Sequence, residues 1–265
     1  LLDVEHKCWS KEMCEICGVK EEWLAHLYES WQFVGTLKPD AAAALGLPES
    51  VKVCAGAGDN AAAAVGTGTV GEGHCNISLG TSGTVFISSE KFGVDATNGL
   101  HAFAHADGGW HLMGCMLSAA SCNKWLCEEI LKTSDFSGEQ ADITDEKLGE
   151  NHVYFLPYLM GERSPINDTN ARGTFTGMTM DTSRSDLVQA VLEGVAFAIR
   201  DSFEVAKSLG IEIPRSNICG GGAKSPLWKK ITANVMNLKV DVLEVEEGPS
   251  MGGAMLAAVG CGAYP

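Results

Sequence analysis

Apolar and polar residues follow two rhythms along this chain. Short runs rich in β-branched and aromatic residues, bounded by glycine or polar turns, fall at 51–55, 76–79, 84–88, 100–103, 110–113, 153–156, 217–219 and 240–245 and predict strands. Helical spacing predicts a helix opened by Ser10 as N-cap, and a second one around Trp23, Leu24 and Leu27. A third starts in Leu37-Lys38-Pro39-Asp40, runs through Leu45 and ends at Gly46-Leu47-Pro48, and others cover 117–131, 185–209 and 226–237. A last helix opens at residues 248–254, and the stretch 135–149 reads as polar and exposed. Strands followed by alternating helices and strands predict an α/β fold, a sheet covered by helices.

Where the rhythm breaks, the residues become chemically pointed. The strand at 51–55 runs directly into Gly56-Ala57-Gly58-Asp59-Asn60 and then an alanine-rich helix start. The runs at 76–79 and 84–88 flank Gly80-Thr81-Ser82-Gly83, a hairpin turn with more glycine and hydroxyl than a turn needs. The strand at 217–219 enters Gly220-Gly221-Gly222-Ala223-Lys224-Ser225 ahead of another helix. Such turns let a backbone approach phosphate and aim N–H groups at it, and a lone acid beside them suits proton removal from a substrate hydroxyl. Each has a plainer reading as well. Asp59 is a favoured helix N-cap, Gly80–Gly83 an ordinary hairpin turn, and the triple glycine a helix entry. Arg163 and Arg172 read equally as partners of Glu162 and Asp168 in a solvated loop, and His74, His101, His105 and His111 as structural.

Composition narrows the class. With 45% hydrophobic and 20% charged residues, 265 positions suffice for one large domain or one domain and part of another. A net charge of −15 argues against nucleic acid or an anionic membrane as partner. It also means that phosphate would have to meet backbone amides and a divalent metal. No apolar run reaches the roughly 20 residues of a membrane span, and the opening Leu1-Leu2-Asp3-Val4 does not read as a secretory leader. Ten cysteines are scattered, with one C-x-x-C at Cys14 and Cys17 that lacks a second pair for zinc. Cys54, Cys219 and Cys261 stand in apolar runs and read as small buried thiols of a reducing compartment.

Taken together, the segments at 56–62, 78–83, 157–165 with 168–173, 220–228 and 247–250 resemble the FGGY carbohydrate kinases, over essentially the whole chain and nearest the members that act on xylulose. The resemblance implies a ribonuclease-H-like, actin-like ATPase fold of two domains with ATP between them. It implies that residues 1–75 are the end of an N-terminal sugar-binding domain and 76–265 a C-terminal nucleotide-binding domain. Asp59 would be the catalytic base and Asn60 a neighbour of the sugar. Gly80, Thr81, Ser82 and Gly83 would bind the ATP phosphates. Gly221, Gly222 and Ala223 would bind adenosine, with Ser225 starting the helix behind them and the turn at 248–253 supporting that loop. ATP and Mg²⁺ are the implied cofactors and the cytoplasm the implied location, and surface that would face the absent domain suits self-association as a homodimer. The implied activity is phosphorylation of D-xylulose, with ribulose, gluconate or glycerol as alternatives and a non-catalytic nucleotide-binding module as the competing class. The family's first phosphate loop has no counterpart ahead of Asp59, so the chain is expected to be a fragment, truncated at its C-terminal end too, and inactive toward sugar alone.

Overall fold

The structure, a computed structural model, describes residues 1–97, 99–244 and 248–264. Before the main sheet come a small pair of strands, β1 (Leu2–Asp3) and β2 (Cys8–Trp9), and helix α1 (Lys11–Cys17). They are followed by β3 (Phe33–Thr36), α2 (Pro39–Leu45), β4 (Lys52–Cys54) and α3 (Asp59–Gly66). Strands β3 and β4 pair antiparallel, so the chain enters the Gly56–Gly58 turn from a fixed ribbon. Ser10 caps α1 by accepting from the Met13 amide at 3.2 Å. The helix expected around Trp23 and Leu27 does not form. A single 3-10 turn, Glu21–Trp23, is followed by irregular chain, because three apolar residues in five positions give too little burial to offset helix nucleation.

The main sheet holds β5 (His74–Leu79), β6 (Gly83–Ser89), β7 (His101–Ala104) and β8 (Trp110–Met116), joined later in the chain by β11 and β12. After β8 come α4 (Ala120–Trp125), which continues as a wider π turn at Leu126–Ile130, and α5 (Phe136–Gln140). A separate two-stranded sheet pairs β9 (Tyr154–Leu156) with β10 (Thr174–Thr176). Only Phe155 of β9 is buried, so the strand expected there exists but is not a core strand. Helix α6 (Arg184–Ser208), strand β11 (Arg215–Cys219), α7 (Pro226–Met236), β12 (Lys239–Val242) and α8 (Gly248–Gly260) complete the chain. Val245, the expected end of the last strand, and Glu247 lie outside the described residues.

The sheet order is β12-β11-β5-β6-β8-β7, with β11 parallel to both its neighbours and the rest antiparallel. Period-two alternation divides its faces. Ile77, Leu79, Val85, Ile87 and Leu112 point to one face, where they form the core with Val188, Val191, Leu192, Val195 and Ile199 of α6. A capping box starts α6, with Ser183 accepting from the Asp186 amide and Asp186 from the Ser183 amide. On the other face Asn76, Ser78, Thr84 and Phe86 border a cavity of about 190 Å³ whose far wall is α3 and the start of α8.

Three cysteine expectations fail. Cys54 and Cys219 are half-buried and Cys261 is exposed, whereas the buried thiols are Cys14, Cys75, Cys122 and Cys127. Burial pushes Cys75 and Cys122 up to about 12 and Cys127 to about 11, so these thiols stay protonated and act as small apolar groups.

At the outer end of the sheet, buried His111 stacks on Phe86, with centroids 4.0 Å apart, and on Phe103 at 5.1 Å. Burial, and then the nearby His105 ring, lowers the His111 pKa to about 3, against 6.5 for a free imidazole. The denatured chain therefore takes up this proton first, and stability present above pH 6.5 is lost as the pH falls toward 3. Thermal melts across that range should fall with acidity, and His111→Phe should flatten the part of the slope that begins near pH 6.5. An unchanged slope in the variant would mean that other groups carry it.

Candidate active site

Asp59 is the first residue of α3. Gly58 is the N-cap and makes no side-chain bond, so the reading of Asp59 as a cap is set aside. The carboxylate and the neighbouring Asn60 are both exposed, and among the described residues Asp59 has no hydrogen-bond or ion-pair partner. An acid at the first turn of a helix is favoured by the aligned peptide dipoles. Gly56, Ala57 and Gly58 line a cavity of about 370 Å³ together with Lys7, Tyr28 and His105. Asn60 lines the 190 Å³ cavity on the inner side of α3.

Close packing fixes the direction of α3. A Cβ on Gly252 of α8 would overlap the Ala62 carbonyl oxygen, and one on Gly66 would overlap the Gly248 carbonyl oxygen. The two helices therefore touch backbone to backbone. The segment 248–253, expected from sequence to be a turn behind the loop at 221–223, is the start of α8 and supports α3, and hence Asp59.

The other two glycine turns meet each other. Gly220 has φ of 89°, and a Cβ there would come within 2.8 Å of the Leu79 carbonyl group and 3.0 Å of the Gly80 nitrogen. A Cβ on Gly222 would sit 2.8 Å from Leu79 and 2.9 Å from the Trp228 ring. Gly221, between them, faces open space. Both turns open onto one cavity of about 810 Å³, lined by Gly80, Thr81, Gly221, Gly222 and Ser225 among others. Ala223 and Gly83 are buried behind it and Ser82 is half-buried, so these three of the expected nucleotide residues do not line it. Trp228, a core residue held by a 3.0 Å bond from Nε1 to the Leu192 carbonyl, forms part of the floor.

The turn at 80–82 is held from behind. The Ala120 amide donates to the Gly80 carbonyl at 2.9 Å, and the Ala119 amide to the Thr81 carbonyl at 3.0 Å. Ser121 Oγ donates to the Thr81 carbonyl at 2.8 Å, and Ser82 Oγ to the Leu117 carbonyl at 3.4 Å. In a planar trans peptide the carbonyl and the following N–H point in opposite directions. Drawing these two carbonyls toward 119–121 therefore turns the Thr81 and Ser82 amides the other way, as an anion-binding turn requires.

One wall of the cavity was not legible as functional in the sequence. Phe136, Ser137, Gln140 and Ala141 come from the stretch read as polar surface. Gln140 is fixed there by accepting from Ser225 Oγ at 2.6 Å, while the same oxygen caps α7 by accepting from the Trp228 amide at 3.0 Å. Lys124 and Lys224 stand exposed at the rim, so cations do reach the glycine turns of this acidic chain.

Of the two readings of the charged loop, the solvated ion-pair cluster does not form among the described residues. Glu162 is buried and accepts from the Leu117 amide at 2.9 Å and the Arg163 amide at 2.7 Å. Arg163 Nε donates to His101 Nε2, and Arg172 to the Thr169 and Ala171 carbonyls. Neither arginine pairs with Glu162 or Asp168 among the described residues. Burial pushes the Glu162 carboxyl above the ordinary carboxylate range, against the lowering effect of the two amides. His105 and His111 are buried, consistent with structural roles.

Comparison with known proteins follows this geometry closely. Residues 75–261 match the C-terminal domain of the FGGY family of carbohydrate kinases, and residues 1–66 match its N-terminal domain. The chain is 39% identical over 264 residues to the xylulose kinase of Escherichia coli K12, covering 97% of this chain and 53% of that protein. Among solved structures, a Brucella ovis protein titled a "xyloylose kinase" superposes with a TM-score of 0.93 at 39% identity, over 100% of this chain and 55% of that one. A gluconate kinase from Lactobacillus acidophilus reaches a TM-score of 0.90 at 25% identity, over 99% of this chain and 54% of that one. The chain thus spans about half the length of the curated relatives it matches.

Proposed function

The chain belongs to the FGGY family of carbohydrate kinases, with its actin-like ATPase fold, and on that premise we propose that it carries the nucleotide side and the general base of an ATP-dependent sugar kinase whose acceptor is D-xylulose. The observation that carries this reading is the meeting of two glycine turns, at 80–82 and 220–225, on one 810 Å³ cavity. The volume and the largely apolar floor suit a nucleoside, and the outward amides of Thr81 and Ser82 suit its phosphates. Residues 1–75 are then the end of the sugar-binding domain and 76–265 the nucleotide domain.

In the mechanism, Asp59 accepts the proton of the attacking hydroxyl, with Asn60 beside the sugar. Gly80 and Thr81 face the phosphates, with the Ser82 amide beside them and Gly83 closing the turn from behind, and Gly221, Gly222 and Ser225 face the adenosine, with Ala223 buried behind them. Among the described residues no three His, Cys, Asp or Glu side chains converge as a metal cage. A Mg²⁺ arriving with ATP would take most of its ligands from the nucleotide's own phosphate oxygens. When bound, Mg²⁺ neutralises phosphate charge. No helix among the described residues is long and apolar enough to cross a membrane, and the reading carries a cytoplasmic location with it. Exposed apolar side chains such as Trp23, Tyr28 and Phe33 suit burial against the absent part of the sugar-binding domain or in a homodimer.

A coupled assay of the full-length protein with D-xylulose, D-ribulose, gluconate and glycerol tests the reading. The highest kcat/KM is expected with D-xylulose. A higher value with another acceptor would move the assignment within the family, and no ATP-dependent turnover with any of them would leave a non-catalytic nucleotide-binding module.

A further inference from the structure

Glu162 is a carboxylate with 2% of its surface exposed, in a loop whose sequence suggests solvent. Burying such a group is costly unless hydrogen bonds or a counter-charge offset it. No cation pairs with it among the described residues, and its Oε2 has no partner there. Its whole compensation is Oε1, which accepts from two backbone amides, those of Leu117 and Arg163. An apolar side chain of similar size would fill the space without the desolvation cost. What the carboxylate adds is a fixed acceptor for the Leu117 N–H.

Leu117 is where that acceptor matters. It follows directly after β8 and begins the segment that straps the 80–82 turn. Its carbonyl accepts from Ser82 Oγ, and two and three residues further on the Ala119 and Ala120 amides donate to the Thr81 and Gly80 carbonyls. The same loop is tied to the end of β8 a second time, by the Ser164 amide donating to the Cys115 carbonyl at 3.1 Å. Without Glu162, the Leu117 amide loses the one side-chain acceptor it has among the described residues. The strap that carries Ala119, Ala120 and Ser121 is then less firmly placed, and the Thr81 and Ser82 amides shift with the carbonyls those residues hold.

We propose that Glu162 is a positioning residue for the phosphate side of the nucleotide cavity, acting through the Leu117 amide on the turn at 80–82. The proposal rests on the kinase reading given above. It separates two parts of one ligand, since Glu162 acts on the turn that faces phosphate, while Gly221, Ser225 and Gln140 line the nucleoside part.

Isothermal titration of the full-length protein with MgADP and with adenosine distinguishes the two. Glu162→Met keeps the volume and removes the acceptor. It should weaken MgADP about tenfold, the scale of one lost hydrogen bond to a charged acceptor, and leave adenosine within about twofold. Glu162→Gln keeps an acceptor oxygen and should restore MgADP binding. Equal loss of both ligands in Glu162→Met, or a Gln variant as weak as the Met variant, would overturn the proposal. The unsubstituted protein supplies a second readout should the Met variant not fold. MgADP, but not adenosine, should slow amide exchange in residues 110–120 together with residues 78–84. Slowing confined to 78–84 would mean that the strap is not coupled to the turn. Adenosine binding with no gain from the phosphates would overturn the kinase reading itself, and the proposal with it.

Discussion

Asp59→Asn in the full-length protein is expected to lower kcat for sugar phosphorylation about a thousandfold and to leave ATP affinity within about twofold. Asparagine keeps the size and the hydrogen-bonding reach of aspartate but cannot accept the proton. The carboxylate is exposed at the first turn of α3 and engaged by no described residue, so its removal breaks no structural bond. None of residues 56–60 lines the nucleotide cavity, which is why ATP binding should survive. The expected signature is a fall in kcat with little change in KM for ATP, the pattern of an interaction made mainly in the transition state. Retention of most of the rate would exclude Asp59 as base and favour the non-catalytic reading, in which an acid at this position has no work to do.

The strand-turn-helix at 52–66 and the hairpin around 80–83 were legible because local chemistry determines them. Short β-branched runs end in glycine, and alanine follows in the helix. The long helix expected over 185–209 was equally local and forms as Arg184–Ser208. What stayed hidden depends on distant partners. Residues 136–140 are a five-residue polar helix with no periodic signal, and they become a cavity wall only because Gln140 meets Ser225 across 85 positions. Glu162 reads as surface because charge density usually means solvent, yet two backbone amides from different segments enclose it. Gly252 reads as part of a turn near the nucleotide loop, and nothing in its neighbourhood in sequence names α3 as the helix it touches. Local pattern also overreached at Trp23, where helical spacing without enough burial gave one 3-10 turn.

Gly252→Ala is expected to destabilise the protein by about 3 kcal/mol and to lower kcat along with it. The added methyl would overlap the Ala62 carbonyl oxygen and approach the Gly66 nitrogen at 3.0 Å, and both are backbone atoms that no rotamer change can move. The strain can relax only if α8 and α3 separate. Since α3 carries Asp59 at its first turn, separation displaces the base from the hydroxyl it must reach, and small displacements of this kind are costly to rate. Gly253→Ala is the control. That position is exposed, a Cβ there meets nothing within 4 Å, and alanine is the better helix former, so stability should hold or rise by up to about 1 kcal/mol. Urea midpoints of the two variants should therefore move in opposite directions at similar slope. Equal shifts would mean that the helix seam is loose and that α3 takes its direction from elsewhere. Gly66→Ala reaches the same seam from the α3 side, against the Gly248 carbonyl, and should reproduce the Gly252 loss. The double variant should cost less than the sum, because one separation of the helices relieves both overlaps.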